Sequence, residues 1–214
     1  MSDDRPISSR DALREHYRAP SELVRRKTID HVDQGARNWL AASPFFVLAT
    51  TSDSGTDASP RGGPSGFVAV LDEHTVAFGD LAGNNRLDSF SNLLEHPDVG
   101  MLFLVPGSEE TLRLNGRAHV TTEPEVRERC AVDGRVPRVA VVVHVTECFV
   151  HCGKAVRRAG LWDTPSWRAG DERPSAAALL NDHLELGLDP AVIEADLERD
   201  YRETLWGLGG EDVE

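Results

Sequence analysis

Residues 81–90 read LAGNNRLDSF, and four of their side chains can hold an anion: Asn84, Asn85, Arg86 and Ser89. If Asn84 or Asn85 caps a helix running from about Asn85 to Glu95, Arg86 falls in its first turn. There the exposed N–H groups already carry partial positive charge, and a cation costs about a few tenths of a kcal/mol or more. A bound anion reverses the sign of that cost. Free N–H donors, two asparagine amides, a guanidinium and a hydroxyl together make a phosphate cradle. The alternative is an ordinary pairing of Arg86 with Asp88 or another surface acid, and on this stretch alone both readings stay open.

Two further basic points belong with it. DASPRGGPSGF (57–67) sets Arg61 on a strand or strand edge beside Gly62, Gly63 and Gly66, residues that let a ligand approach the backbone. The plainer reading is a Gly/Pro-rich turn with an exposed arginine. KAVRRAGLW (154–162) gathers Lys154, Arg157 and Arg158 ahead of Trp162. A basic helical end followed by an aromatic suits a flat anionic ligand, or equally a partner subunit's acidic tail. Motifs for other chemistries are missing: there is no Walker A pattern, no G-x-S-x-G, no H-E-x-x-H and no strand-to-helix G-x-G-x-x-G. The three cysteines, Cys130, Cys148 and Cys152, are odd in number, and C-x-x-H-C is no familiar zinc spacing, so they read as buried or half-buried thiols and no metal site is expected.

The elements that must position these side chains follow from periodicity. Residues 21–42 have helical spacing of apolar positions, with Ser21 as N-cap and Ser43-Pro44 as the stop. From Phe45 the texture turns to β-rich runs at 45–50, 66–72, 75–80, 99–106, 111–122 and 138–150. Between them, one helix from about Asn85 to Glu95 should turn Leu87, Phe90 and Leu94 toward the core. Six runs so closely spaced imply an antiparallel barrel interrupted by a helix. In TLRLNGRAHV, Leu112, Leu114, Gly116 and Ala118 alternate with Arg113, Asn115, Arg117 and His119. The second set is too polar for a core and should be solvated or line a site or interface. Two C-terminal helices are expected at 175–187 and 190–206, the second opened by Asp189-Pro190 as N-cap and N1.

Charge limits the partners. The net charge of −13 argues against broad binding to nucleic acid or anionic membrane. Residues 165–214 alone carry thirteen acids against four arginines, which reads as a solvated helical surface. No apolar run is long enough to span a bilayer, and the polar start lacks the apolar segment of a signal peptide, so a cytoplasmic protein is expected. The organisation is a polar and mobile leader (1–20), a barrel domain with its N-terminal helix (21–164), and an acidic helical extension (165–214) packing on the barrel or on a partner subunit.

In that order, SPFFVLAT, ASPRGGPSGFVAVLDEHTVAF, GNNRLDSFSNLLEHPDVGMLFLVPG, ETLRLNGRAHV and HCGKAVRRAGLW resemble the pyridoxamine 5′-phosphate oxidase-like family of FMN-binding split barrels. The resemblance covers roughly residues 22–206 and is greatest to a bacterial subgroup of uncharacterised members. It implies a mainly β fold with flanking helices, a six-stranded antiparallel split β-barrel. It further implies a homodimer with two FMN molecules at the subunit interface. By the same resemblance, Arg61 is the strand arginine that holds the FMN phosphate, and Asn85, Arg86 and Ser89 stand at the helix start that shares it. Lys154 and Trp162 then close the flavin cleft from the partner subunit. NNRLDS stands where the true oxidase has a Ser-Arg-Lys cluster, and that enzyme's C-terminal substrate-gripping Trp and Arg motif is not recognisable, which points away from pyridoxamine phosphate as substrate. The function implied is an FMN-dependent oxidoreductase acting on a small molecule. The alternative is a non-catalytic protein of the same fold carrying haem, deazaflavin or another anionic ligand, with His119, His144 and His151 as the residues to watch; a protein with no ligand is the third reading.

Overall fold

The computed structural model describes residues 6–207. Its centre is one antiparallel sheet of seven strands: β1 (Phe45–Ser52), β2 (Gly55–Gly62), β3 (Ala69–Val70), β4 (Thr75–Gly79), β5 (Asp98–Leu104), β6 (Thr111–Thr121) and β7 (Ala140–His151), in the order β2-β1-β5-β6-β7-β4-β3. The sheet does not close. β3 covers only Val76 and Ala77 of β4, so Phe78 and Gly79 form an open edge. One cavity is lined by both that edge and β2, so the two ends of the sheet approach each other across a gap, and the fold is a split barrel.

The core follows the expected alternation. Phe46, Leu48 and Thr50 of β1 point inward, as do Leu112, Leu114 and Ala118 of β6. Arg113, Arg117 and His119 are exposed on the opposite face of β6 and Asn115 is half-buried there. Phe46 stacks on Phe67 with ring centroids 5.7 Å apart, meets Phe78 edge-on at 5.1 Å and lies 4.9 Å from Phe103, offset and edge geometries that aromatic quadrupoles favour. The β6–β7 ladder slips at Asn115/Gly116. A Cβ on Gly116 would stand 2.1 Å from the His144 carbonyl oxygen, so only glycine fits this bulge.

Four expectations are corrected. The sheet has seven strands rather than six, because β2 pairs with β1 from Ser52↔Gly55 to Phe45↔Gly62; its Pro60 is tolerated on an edge strand, where no ladder bond is lost. The strand expected over 66–72 shrinks to β3. The single helix expected over 21–42 is two, α2 (Glu22–Arg26) and α3 (Gln34–Ala42), following α1 (Arg10–Glu15) in the leader. Between α2 and α3 the chain leaves helical geometry so that Ile29 can bridge Cys148, its N–H donating at 3.0 Å and its carbonyl accepting at 2.7 Å. Finally, α4 (Asp88–Glu95) starts three residues later than expected, because Asn85 and Leu87 adopt left-handed φ values of 53° and 58° and turn the chain before the helix begins. Its core side is therefore Ser89, Phe90 and Leu93, while Leu87 and Leu94 are exposed.

After β6 comes α5 (Pro124–Arg129), and after β7 come α6 (Lys154–Ala159), α7 (Ala176–Leu184) and α8 (Pro190–Thr204). Ser175 and Asp189 cap α7 and α8 through their side chains. Beyond α8 the chain returns to the barrel: the Ala82 N–H donates to the Gly207 carbonyl at 3.0 Å and the Arg135 guanidinium to the Trp206 carbonyl. No described helix is long and apolar enough to cross a membrane.

Candidate functional site

The open seam of the barrel forms a cavity of about 450 Å³, lined by β2, the end of β4 and the whole of residues 79–90. That volume lies in the range that encloses a small-molecule ligand. β2 supplies one wall by strand periodicity: Asp57, Ser59 and Arg61 are half-buried, and Thr56, Ala58 and Pro60 are exposed. The inward face of an edge strand is thus entirely polar, and its side chains meet the cavity instead of the apolar core.

Arg61 is the best-buried cation there. Its side chain is 24% exposed and sits 3.8 Å from the Asp80 carboxylate, itself 13% exposed. Its guanidinium lies over the Phe90 ring, 5.4 Å from the centroid, a cation–π contact. Its Nε is buried and finds no acceptor, an unusual state for a buried donor. Burial pulls the Arg61 pKa below its ordinary value, while Asp80 and then Asp57 pull it back up. Burial likewise raises the Asp80 carboxyl, and Arg61 opposes the rise. Of the neighbouring glycines, Gly62 lines the cavity, whereas Gly63 and Gly66 serve packing. A Cβ on Gly63 would lie 2.7 Å from the Phe67 ring, and Gly66, at φ 82°, packs on Ala41, so both seat Phe67 beneath the seam.

The second wall is the segment before α4. Ser89 is buried; its hydroxyl donates to Asp57 Oδ2 at 2.9 Å and lies 2.9 Å from the Ser59 hydroxyl. Arg86 is not in the first turn of the helix but two residues ahead of it, so the dipole conflict that the sequence suggested is absent. Its side chain is 71% exposed, its Nε donates to Asp88 Oδ2 at 2.8 Å, and its backbone N–H donates to Asn84 Oδ1 at 3.1 Å. Of the two readings left open, pairing with Asp88 is the arrangement present. Leu87, in the N-cap position, offers no side-chain cap, so the first-turn N–H groups of α4 are left open beside the cavity.

Four of the six residues singled out from the sequence therefore meet: Arg61, Asn85, Arg86 and Ser89 line one cavity. Lys154 and Trp162 do not line it. Lys154 opens α6 and is exposed, and the Trp162 indole N–H donates to the Ser108 carbonyl at 2.7 Å. α6 instead borders a second groove of about 630 Å³, where Ala155, Val156 and Ala159 face Val47, Ala49, Leu102 and Leu104. Arg157, from the basic cluster, is held by Glu109. His119 and His144 are exposed, His151 borders the second groove, and none of the three lines the first cavity. Cys130 and Cys148 are buried and their thiols pushed up to about 11, which keeps them protonated and poor nucleophiles. Among the described residues no cluster of His, Cys, Asp or Glu is placed to hold a metal ion.

Sequence reasoning missed Asp57, Ser59, Asp80 and Phe90. Only the first two left a signal, the period of two in TDASPRG, masked by the glycines and proline around it. With them the cavity holds two arginines against three aspartates, Asp57, Asp80 and Asp88, so its fixed charges do not favour anions in sum.

No curated protein matches the chain. Among solved structures, tagged HupZ from Group A Streptococcus shares 17% identity over 55% of this chain and 92% of its own, with a TM-score of 0.45. A provisionally assigned pyridoxamine 5′-phosphate oxidase from Lactobacillus delbrueckii shares 18% over 56% and 95%, with a TM-score of 0.43. A NimC/NimA family protein from Clostridium acetobutylicum shares 18% over 55% and 92%, with a TM-score of 0.38. The family model described as pyridoxamine 5′-phosphate oxidase matches residues 32–152, from the start of α3's approach through β7 and more than half of the chain, and the chain belongs to that family.

Proposed function

We propose that this chain is an FMN-binding oxidoreductase of the pyridoxamine 5′-phosphate oxidase-like class, acting as a homodimer on a small molecule. The observation that carries the reading is Arg61: a part-buried guanidinium whose Nε has no acceptor, on a cavity beside the uncapped start of α4. A buried donor without a partner costs about 1–3 kcal/mol, and a phosphate oxygen relieves that cost. FMN, when bound, supplies a ring system that accepts and returns hydride or electrons. The chain's own part is positioning. Arg61 and Arg86 balance phosphate charge, the Asn85 amide and Ser89 hydroxyl offer hydrogen bonds, and Phe78 and Phe90 give the cavity an apolar wall.

The second groove supports the dimer. Val47, Ala49, Leu102 and Leu104 make the outward face of β1 and β5 apolar, continuous with α6, and an apolar sheet face of this extent calls for a cover. A second copy seated there brings Lys154 and Trp162 to the edge of a shared cleft. Three cysteines with no disulfide among them suit a reducing, cytoplasmic setting. A histidine-ligated haem gains no support in the first cavity, since no histidine lines it.

The test is the absorbance spectrum and mass of the small molecule that copurifies, with the oligomeric state by light scattering. Yellow dimeric protein carrying FMN near equimolar with the chain is expected. Colourless protein that takes up no added FMN overturns the proposal.

A further inference from the structure

We infer that Asp80 is a resident counter-anion at Arg61 that sets how much negative charge the cavity accepts: a phosphate engages Arg61 only as the Asp80 carboxylate gives up that pairing and takes up a proton. The inference rests on the reading of this cavity as a phosphate site. The three cavity carboxylates are satisfied unequally. Asp57 accepts from the Ser89 hydroxyl at 2.9 Å, and Asp88 accepts from Arg86 Nε at 2.8 Å. No donor among the described residues reaches the Asp80 carboxylate within hydrogen-bond distance; its compensation is the Arg61 guanidinium at 3.8 Å. That separation is an ion pair without a hydrogen bond, and Arg61 in turn keeps its Nε unpartnered.

The pair is therefore electrostatically closed and geometrically unfilled. An anion with oxygens placed to meet the Arg61 fork makes the charge-assisted bonds that Asp80 does not. Once Arg61 is drawn to it, Asp80 is left part-buried at 13% exposure beside a second negative charge, and desolvation together with like-charge repulsion favours its neutral form. The other charged groups on this cavity point the same way or cancel. Asp57 on β2 adds repulsion, and Arg86 is already paired to Asp88. Phosphate binding thus carries a proton with it, and a ligand lacking the phosphate does not. The phosphate's own second ionisation lies near pH 6, so the linkage is read above about pH 7.5, where the ligand is a dianion throughout.

Asp80→Asn, similar in shape and neutral, separates the cases. FMN and riboflavin are titrated into both proteins by flavin fluorescence from about pH 7.5 to 9. Asp80→Asn is expected to bind FMN about tenfold or more tighter than wild type at the upper end, with riboflavin unchanged and the wild-type pH dependence flattened. Equal or weaker FMN binding by the variant overturns the inference. Should the variant fail to fold, calorimetry of wild type with FMN in two buffers of different ionisation enthalpy decides. Proton uptake approaching one per site supports the inference, and none overturns it. If wild type and variant both ignore flavins, the flavin reading falls, and inorganic phosphate titrated calorimetrically into each becomes the probe. Tighter phosphate binding by Asp80→Asn then supports the counter-anion role, while equal or absent binding overturns it.

Discussion

Arg61→Met is the substitution that presses hardest on the structure, because one guanidinium serves Asp80, the Phe90 ring and the proposed phosphate. Methionine keeps part of the aliphatic stem over Phe90 and removes the charge. For binding, the loss is the charge-assisted contact to the phosphate, worth about 1.5–3 kcal/mol, or about a 10- to 150-fold rise in Kd for FMN. For stability, Asp80 loses the cation that stood 3.8 Å away. Breaking a fully buried pair costs about 3–5 kcal/mol; with side chains 24% and 13% exposed, the site falls short of that, and about 1–3 kcal/mol is expected. The cost has a pH signature. Burial raises the folded-state carboxyl of Asp80 above its ordinary value of 3.8, so its contribution to stability is fully present below that value and is lost as pH rises through the folded pKa. Without Arg61 the folded pKa moves higher still, and the loss deepens. Urea midpoints for wild type and variant should therefore nearly coincide around pH 4 and separate to a plateau toward neutrality. Arg117→Met is the control. Its partner Asp98 lies 3.5 Å away with both side chains more than 60% exposed, an arrangement worth under about 1 kcal/mol, and it lies outside the cavity. Equal FMN affinities in the two variants, or a stability gap that ignores pH, would refute the reasoning.

Arg86→Glu should weaken FMN binding more than Arg117→Glu but less than Arg61→Met, since Arg86 is 71% exposed and already paired with Asp88; flavin titration ranks the three. Ser89→Ala deprives the Asp57 carboxylate of a buried donor and should cost about 1–2 kcal/mol in denaturant unfolding. Gly116→Ala drives a methyl into the His144 carbonyl at 2.1 Å and should cost about 3 kcal/mol or more, or abolish soluble expression. With a thiol reagent, Cys130 and Cys148 should react only on unfolding, whereas Cys152, which borders the groove proposed to seat a second copy, should label faster in dilute monomer than in dimer.

Where hydrophobic alternation met the core, the sequence was legible: β1, β4, β5, β6 and β7 stand close to where their periodicity put them. β2 was not, because the face it turns inward is Asp57, Ser59 and Arg61, and a strand that lines a polar cavity has no apolar stripe to announce it. The start of α4 was obscured for a different reason. Asparagine is a good N-cap and also one of the few residues at ease with positive φ. Asn85 at φ 53° takes the second role, and Leu87 follows it into the same region against its own preference, which only tertiary context imposes. The acids were invisible for want of contrast: in a chain with 36 of them, nothing set Asp57 and Asp80 apart.

The arginine that drew attention in the sequence and the arginine that matters most in the structure are thus different residues. Arg86 stood out because a helix dipole should repel it, yet the chain makes two left-handed steps and leaves it in solvent, bonded to Asp88. Arg61 gave no such warning, since its setting is created by β1 pairing, by the Phe90 ring brought from α4 and by Asp80 from the far edge of the barrel. Desolvation, which sequence does not display, is what raises the worth of its charge. The same desolvation makes Asp80 costly to leave unpaired, so affinity for an anion at this seam depends less on how many arginines line the cavity than on what becomes of one carboxylate when an anion arrives.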